Sequence, residues 1–177
     1  GFADEQKRVL AATVDGVRII DLYVVNGQAV GSEKYDYKLR WLEAMTDWVR
    51  EEMQRYPQLV VLGDFNIAPL ESDVWSHKQL IDVVSHTPIE IETLGKLQAS
   101  HDWVDLGRHF IAAPERLYTW WSYRAKDHTV GDRGRRLDHM WASPAVAAQD
   151  IAHRVHEPCR SWEKPSDHIP LVTEFRI

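Results

Sequence analysis

One long amphipathic segment constrains this chain more than any other. In residues 32–56, Leu39, Leu42, Met45, Val49 and Met53 recur at spacings of three and four, which puts them on one face of a helix. Trp41 and Trp48 flank that stripe. Ser32 is placed to cap the helix, Glu33 suits its first turn, and Pro57 forbids its continuation. Upstream, residues 8–14 (RVLAATV) and 17–25 (VRIIDLYVV) surround Asp15-Gly16, two apolar, β-branched runs about a turn pair, which predicts a β-hairpin. Downstream, residues 59–62 predict a short buried strand.

The remainder is more broken. Residues 89–97 predict a helix, with 104–110 closing that segment. Residues 118–123 (YTWWSY), 136–142, 151–157 and 171–177 predict strands, and 127–134 and 160–170 predict loops. Strands mixed with one long helix point to a layered α/β domain. A chain of 177 residues can bury a substantial core as one domain, and no apolar run reaches the length of a membrane span. The lone Cys159 excludes an intrachain disulfide and fits a reducing, cytoplasmic setting. Net charge of -6 excludes a protein basic all over, but not a local phosphate-binding patch.

Several apolar runs end in residues with chemical function: Tyr23, Asp64 with Asn66, Asp138, and Asp167-His168. Each has a plain reading as a turn, cap or ion-pair residue. Together they are three carboxylates, an amide, an imidazole and a phenol at strand ends, and such ends can converge on one rim of a sheet. Oxygen donors of this kind suit Mg²⁺ or Mn²⁺ better than zinc. The sequence has no HExxH or CxxC arrangement, no GxSxG and no Walker loop. Residues 116–136 carry six basic side chains (Arg116, Arg124, Lys126, Arg133, Arg135, Arg136) against Asp127 and Asp132, a plausible phosphate-tracking surface.

The ordered set YxxNG, GDFNIAP, YTWWSYR, RRLDHMWAS and KPSDHIPLV resembles the exonuclease III family of bacterial DNA-repair nucleases, within the endonuclease/exonuclease/phosphatase superfamily. The resemblance implies a deoxyribonuclease I-like layered α/β sandwich. It also implies metal-dependent hydrolysis of DNA phosphodiesters, as a 3′–5′ exonuclease on duplex DNA and an abasic-site endonuclease. It makes Tyr23, Asp64, Asn66, Asp138 and His168 catalytic and places Asp64, Asn66 and Asp167 about the metal, Mg²⁺ or Mn²⁺. By the same resemblance Asp138 is expected to orient the His168 imidazole, and Trp120, Arg124, Lys126, Arg133 and Arg135 to contact DNA, including abasic or 3′-blocked ends. Trp120 and Trp121 alternate along an extended chain, so one of them is expected in the core.

The family's domain also has an N-terminal portion, ahead of the region matching Gly1, that supplies an Asn and a metal-binding Glu. The resemblance therefore implies that residues 1–177 are the C-terminal portion of a single domain, inactive alone, with uncovered sheet edges that favour a dimer. Rival readings are a superfamily phosphatase or lipid phosphodiesterase, or a non-catalytic DNA-binding fragment.

Overall fold

The computed structural model describes residues 4–124, 127–149 and 151–176. Strand β1 (Val9–Val14) turns into β2 (Val17–Tyr23) through Asp15 (φ +48°) and Gly16 (φ +84°), the double left-handed turn whose twist suits a two-residue hairpin. Helix α1 (Glu33–Arg55) then carries the chain to β3 (Leu59–Asp64), which lies parallel to β2. Ser32 caps α1 as expected, its Oγ accepting from the Tyr35 amide at 3.2 Å and donating to the Gly27 carbonyl at 2.9 Å. After α2 (His77–Leu80) and α3 (Pro88–Gln98) come β4 (Val104–Asp105), α4 (Leu106–Phe110) and β5 (Asp138–Ala142). These strands form one sheet in the order β1-β2-β3-β5-β4. Helix α5 (Pro144–Ala147) leads to a second sheet, the antiparallel pair β6 (Ile151–Val155) and β7 (Leu171–Phe175).

Strand alternation gives the five-stranded sheet two apolar faces. Ile20, Leu22, Leu59 and Val61 face α1 and α3, meeting Trp41, Leu42, Val49, Leu94 and Leu97. Val17, Val60 and Ala142 face the other way, against Leu106 of α4, Val146 of α5 and Phe175 of β7. The result is the α/β sandwich expected from the resemblance.

Two expectations change. The buried stripe of α1 includes Lys38, Thr46 and Glu52, whereas Leu39, Met45 and Met53 are half-buried. Residues 118–123 do not form a strand. Trp120 makes single bridges to Arg135 and to His168, so the segment is wedged between two chains rather than laid along one. Its hydrogen bonds diverge accordingly: Trp120 exchanges backbone bonds with Arg135, while the Trp121 amide donates to Asp167 and the Ile169 amide to Thr119.

Candidate active site

The sheet register builds the site. In the β2–β3 pairing Tyr23 stands opposite Asp64, and in the β3–β5 pairing Asp64 stands opposite Asp138. Three polar side chains thus sit in one row across three strands. Gly63 permits this packing: at φ +128° a Cβ would lie 2.1 Å from the Leu22 carbonyl oxygen. The loop before β7 adds His168, whose Nδ1 is 2.8 Å from Asp138 Oδ2 and whose Nε2 is 3.9 Å from Asp64 Oδ2. Thr119 holds the start of β5 by accepting from the amides of Leu137 and Asp138, each at 3.0 Å.

Asn66 is buried in the left-handed region, φ +50°. Its amide donates to Asp64 Oδ1 at 2.9 Å, and its Nδ2 donates to Asp64 Oδ2 and to the Val24 carbonyl, both at 2.9 Å. Its Oδ1 accepts from Asn26 Nδ2 at 3.1 Å. Beneath it lies Lys38, fully buried and paired with Glu90. Burial pushes the Asp64 carboxyl up to about 6, helped by the charge of Asp138 and opposed by His168, the Asn66 amide and Lys38. Burial by itself would lower His168; the hydrogen bond and charge of Asp138, with Asp64 and Asp167, outweigh it and raise the imidazole above its usual range.

These groups border a cleft of 410 Å³ lined by Tyr23, Asp64, Asn66, Trp120, Arg135, Asp167 and His168 among others. It adjoins a depression of 560 Å³ carrying Arg8 and Lys34. Asp167 stands on the Trp120 side, its Oδ2 accepting from Trp120 Nε1 at 3.0 Å. Trp121 is the core member of the tryptophan pair, and Trp120 is the cleft member. Arg135 stacks over Trp120 at 5.6 Å and donates to the Val84 carbonyl and Ser85 Oγ, and Arg133 stacks over Trp75 at 4.8 Å. Arg124 is exposed, and Lys126 lies outside the described residues. The basic run is weaker than its charge count suggests. Arg136 is buried against Asp73 and Asp105, and Arg116 pairs with Asp132.

Among the described residues, Asp64, Asp138 and His168 form the group that could hold a metal ion, with one ligand atom from each lying within 4.8 Å of the others. The donor chemistry fits a hard cation: two carboxylates repel across the site, and a cation between them would favour the ionised form of Asp64. Asp167 is not in that group, and the Asn66 side-chain oxygen Oδ1 already accepts from Asn26. Sequence reasoning missed Asn26, Ser85, Lys38 and Glu90. The Asn-Gly turn after Tyr23 was a signal for Asn26, but none marked the buried Lys38–Glu90 pair.

A carboxylate row, an acid-bonded imidazole and an arginine-tryptophan shelf thus meet in one cleft of an α/β sandwich. The chain belongs to the Endonuclease/Exonuclease/phosphatase family, whose model matches residues 3–168. Within it, the relatives are of the exonuclease III type. The chain is 28% identical to an exodeoxyribonuclease of Bacillus subtilis, over 98% of its own length and 66% of the relative's. It is 25% identical to exodeoxyribonuclease III of Haemophilus influenzae, over 98% and 68%. Among solved structures, a 3′ phosphatase (NExo) from Neisseria bound to product DNA hairpin superposes with a TM-score of 0.92 at 39% identity, covering 98% of this chain and 66% of that one. An AP endonuclease from Archaeoglobus fulgidus gives 0.89 at 32%, covering 100% and 70%. The chain spans about two thirds of the length of these relatives.

Proposed function

We propose that the protein to which these residues belong hydrolyses DNA phosphodiesters in repair, removing nucleotides from 3′ ends of duplex DNA and incising at abasic sites. The observation that carries this reading is the Tyr23–Asp64–Asp138 row with His168 bonded across it. Asp64, whose carboxyl burial pushes up to about 6, orients a water and takes its proton. The water oxygen bonds to phosphorus as the P–O3′ bond breaks, and the departing 3′ oxygen takes a proton from solvent, leaving a 3′-hydroxyl and a 5′-phosphate. His168 donates from Nδ1 to Asp138, which favours the imidazolium and turns Nε2 toward the cleft, where its positive charge offsets that gathering on the phosphate oxygens. Tyr23 stands beside the leaving oxygen, and Trp120 with Arg135 receives the departing nucleotide or baseless sugar. Arg124 and Arg133, with Lys126, meet flanking phosphates.

Mg²⁺ or Mn²⁺ held by Asp64 with Asp138, or with Asn66 and Asp167 from the adjoining walls, would act as a Lewis acid on the phosphate. The buried, free Cys159 agrees with a cytoplasmic setting. No helix among the described residues is long and apolar enough to cross a membrane. A second reading, hydrolysis of a phosphate monoester at a strand end, is favoured by the 3′ phosphatase among the relatives.

The test incubates the full-length protein and the 177-residue chain with Mg²⁺ and duplexes bearing an abasic site, a recessed 3′ end or a 3′-phosphate. Cleavage by the full-length protein, with a silent 177-residue chain, is expected. Release of phosphate from the 3′-phosphate duplex alone would select the second reading, and hydrolysis of an inositol phosphate without DNA would remove both.

A further inference from the structure

Lys38 spends its ammonium group on the cleft. Its Nζ donates to the Asn66 carbonyl at 2.9 Å, the Asn26 carbonyl at 3.2 Å and Glu90 Oε1 at 2.5 Å, which uses all three of its protons. Asn26 and Asn66 are neighbouring residues of one cleft wall. The Asn66 residue is therefore gripped from two sides, its amide by Asp64 and its backbone carbonyl by Lys38.

Glu90 reaches a second segment of the cleft lining. Its carboxylate accepts from the Ser85 amide at 2.9 and 3.0 Å, the Thr87 amide at 3.1 Å and the Thr87 hydroxyl at 2.7 Å. Val83, Val84 and Ser85 also line the cleft, and Ser85 with Val84 in turn seats Arg135. Glu90 also completes the capping box of α3, but a glutamine would serve there and no lysine is needed. Desolvating both members of an ion pair costs about as much as their attraction returns, so stability does not account for this pair. Its bonds run to the two walls of one cleft.

We propose that Lys38 and Glu90 are positioning residues that set the distance between the Asn26–Asn66 wall and the Val83–Ser85 wall, and with it the aim of Asn66 and Arg135 at a bound nucleotide. The kinetic part of this proposal rests on the DNA-cleaving reading above.

The experiment compares the full-length protein with Lys38→Met, Glu90→Gln and the double variant, which leaves no buried charge unpaired. A folded double variant, judged by its urea midpoint, is expected to keep KM for duplex DNA within about threefold while kcat falls on the order of 100-fold, the scale of a small misplacement at a reacting centre. Each single variant should lose about as much as the double, because the pair acts as a unit. Wild-type kcat in a folded double variant overturns the proposal. Amide hydrogen exchange on the unaltered protein decides the matter where variants do not fold. The Ser85 and Thr87 amides should exchange as slowly as the centre of α1, and exchange at the rate of an exposed loop overturns the clamp. If the unaltered protein cleaves no DNA, the functional reading fails, and the exchange result alone judges the pair.

Discussion

Gly63 offers a quantitative test of how the site row is assembled, with Gly16 as its internal control. Both have left-handed backbones, at φ +128° and +84°. A Cβ at Gly16 would meet nothing within 4 Å, so Gly16→Ala carries only the conformational penalty, about 1 kcal/mol. A Cβ at Gly63 would stand 2.1 Å from the Leu22 carbonyl oxygen and 2.6 Å from Asp21 Oδ1. Reaching ordinary contact requires β2 and β3 to part by roughly 1 Å or more. That loosens one or two ladder hydrogen bonds, at about 1 kcal/mol each, on top of a backbone penalty of about 1–3 kcal/mol. Gly63→Ala should therefore cost about 4 kcal/mol, a large share of the roughly 5–15 kcal/mol that holds a domain together. Equilibrium urea unfolding at constant m-value measures both variants. Equal losses for Gly16→Ala and Gly63→Ala would show that the strands do not meet as closely as described and would sink the steric argument.

Other outcomes follow from the same geometry. His168→Ala in the full-length protein should lose on the order of 10²–10⁴ in turnover while retaining duplex binding in a gel-shift assay; unchanged rates would remove the imidazole from the reaction. His139 is buried with its Nε2 2.8 Å from the Ile67 carbonyl and its Nδ1 unpaired, and burial, reinforced by the charge of Arg136, lowers it from 6.5 to about 4. The neutral ring is thus favoured in the folded state. Its contribution is present above pH 6.5 and is lost as pH falls toward about 4. Relative to His139→Gln, the unaltered protein should lose about 2 kcal/mol between pH 7.5 and 5.0 in urea titrations, and a pH-independent difference would contradict this. Finally, the β1 edge exposes Leu10 at 70%, together with Val9 and Val14. The 177-residue chain should associate into dimers in light scattering and Leu10→Lys should shift it to monomer; a clean monomer before substitution would count against edge pairing.

Much of this was legible in the sequence because it depends on local pattern. The Asp15-Gly16 hairpin, the capped helix ending at Pro57 and the strand into Gly63-Asp64 are written in turn residues and periodicity. So was the gathering of Tyr23, Asp64, Asp138 and His168, since polar residues ending apolar runs have few other places to go. Lys38, Glu90 and Arg136 were not legible, because a charged side chain is read as solvated until its partner from a distant element is seen. Residues 118–123 have strand composition, but their hydrogen bonds go to two segments far apart in sequence, which no local pattern encodes.

The opposition of Asp64 to Asp138 has one more consequence. In this antiparallel pair Gly63 faces His139, so a slip by one residue would bring His139 or Leu137 opposite Asp64 and turn the Asp138 carboxylate to the reverse of the sheet. A molecule threaded one notch out would retain its strand content, but with Trp141 and Ala142 exchanged between the two faces of the sheet and no Asp64–Asp138 pair. Under the proposed function, turnover per milligram of the full-length protein after refolding therefore reports the fraction of molecules with correct threading, a quantity to which circular dichroism is nearly blind.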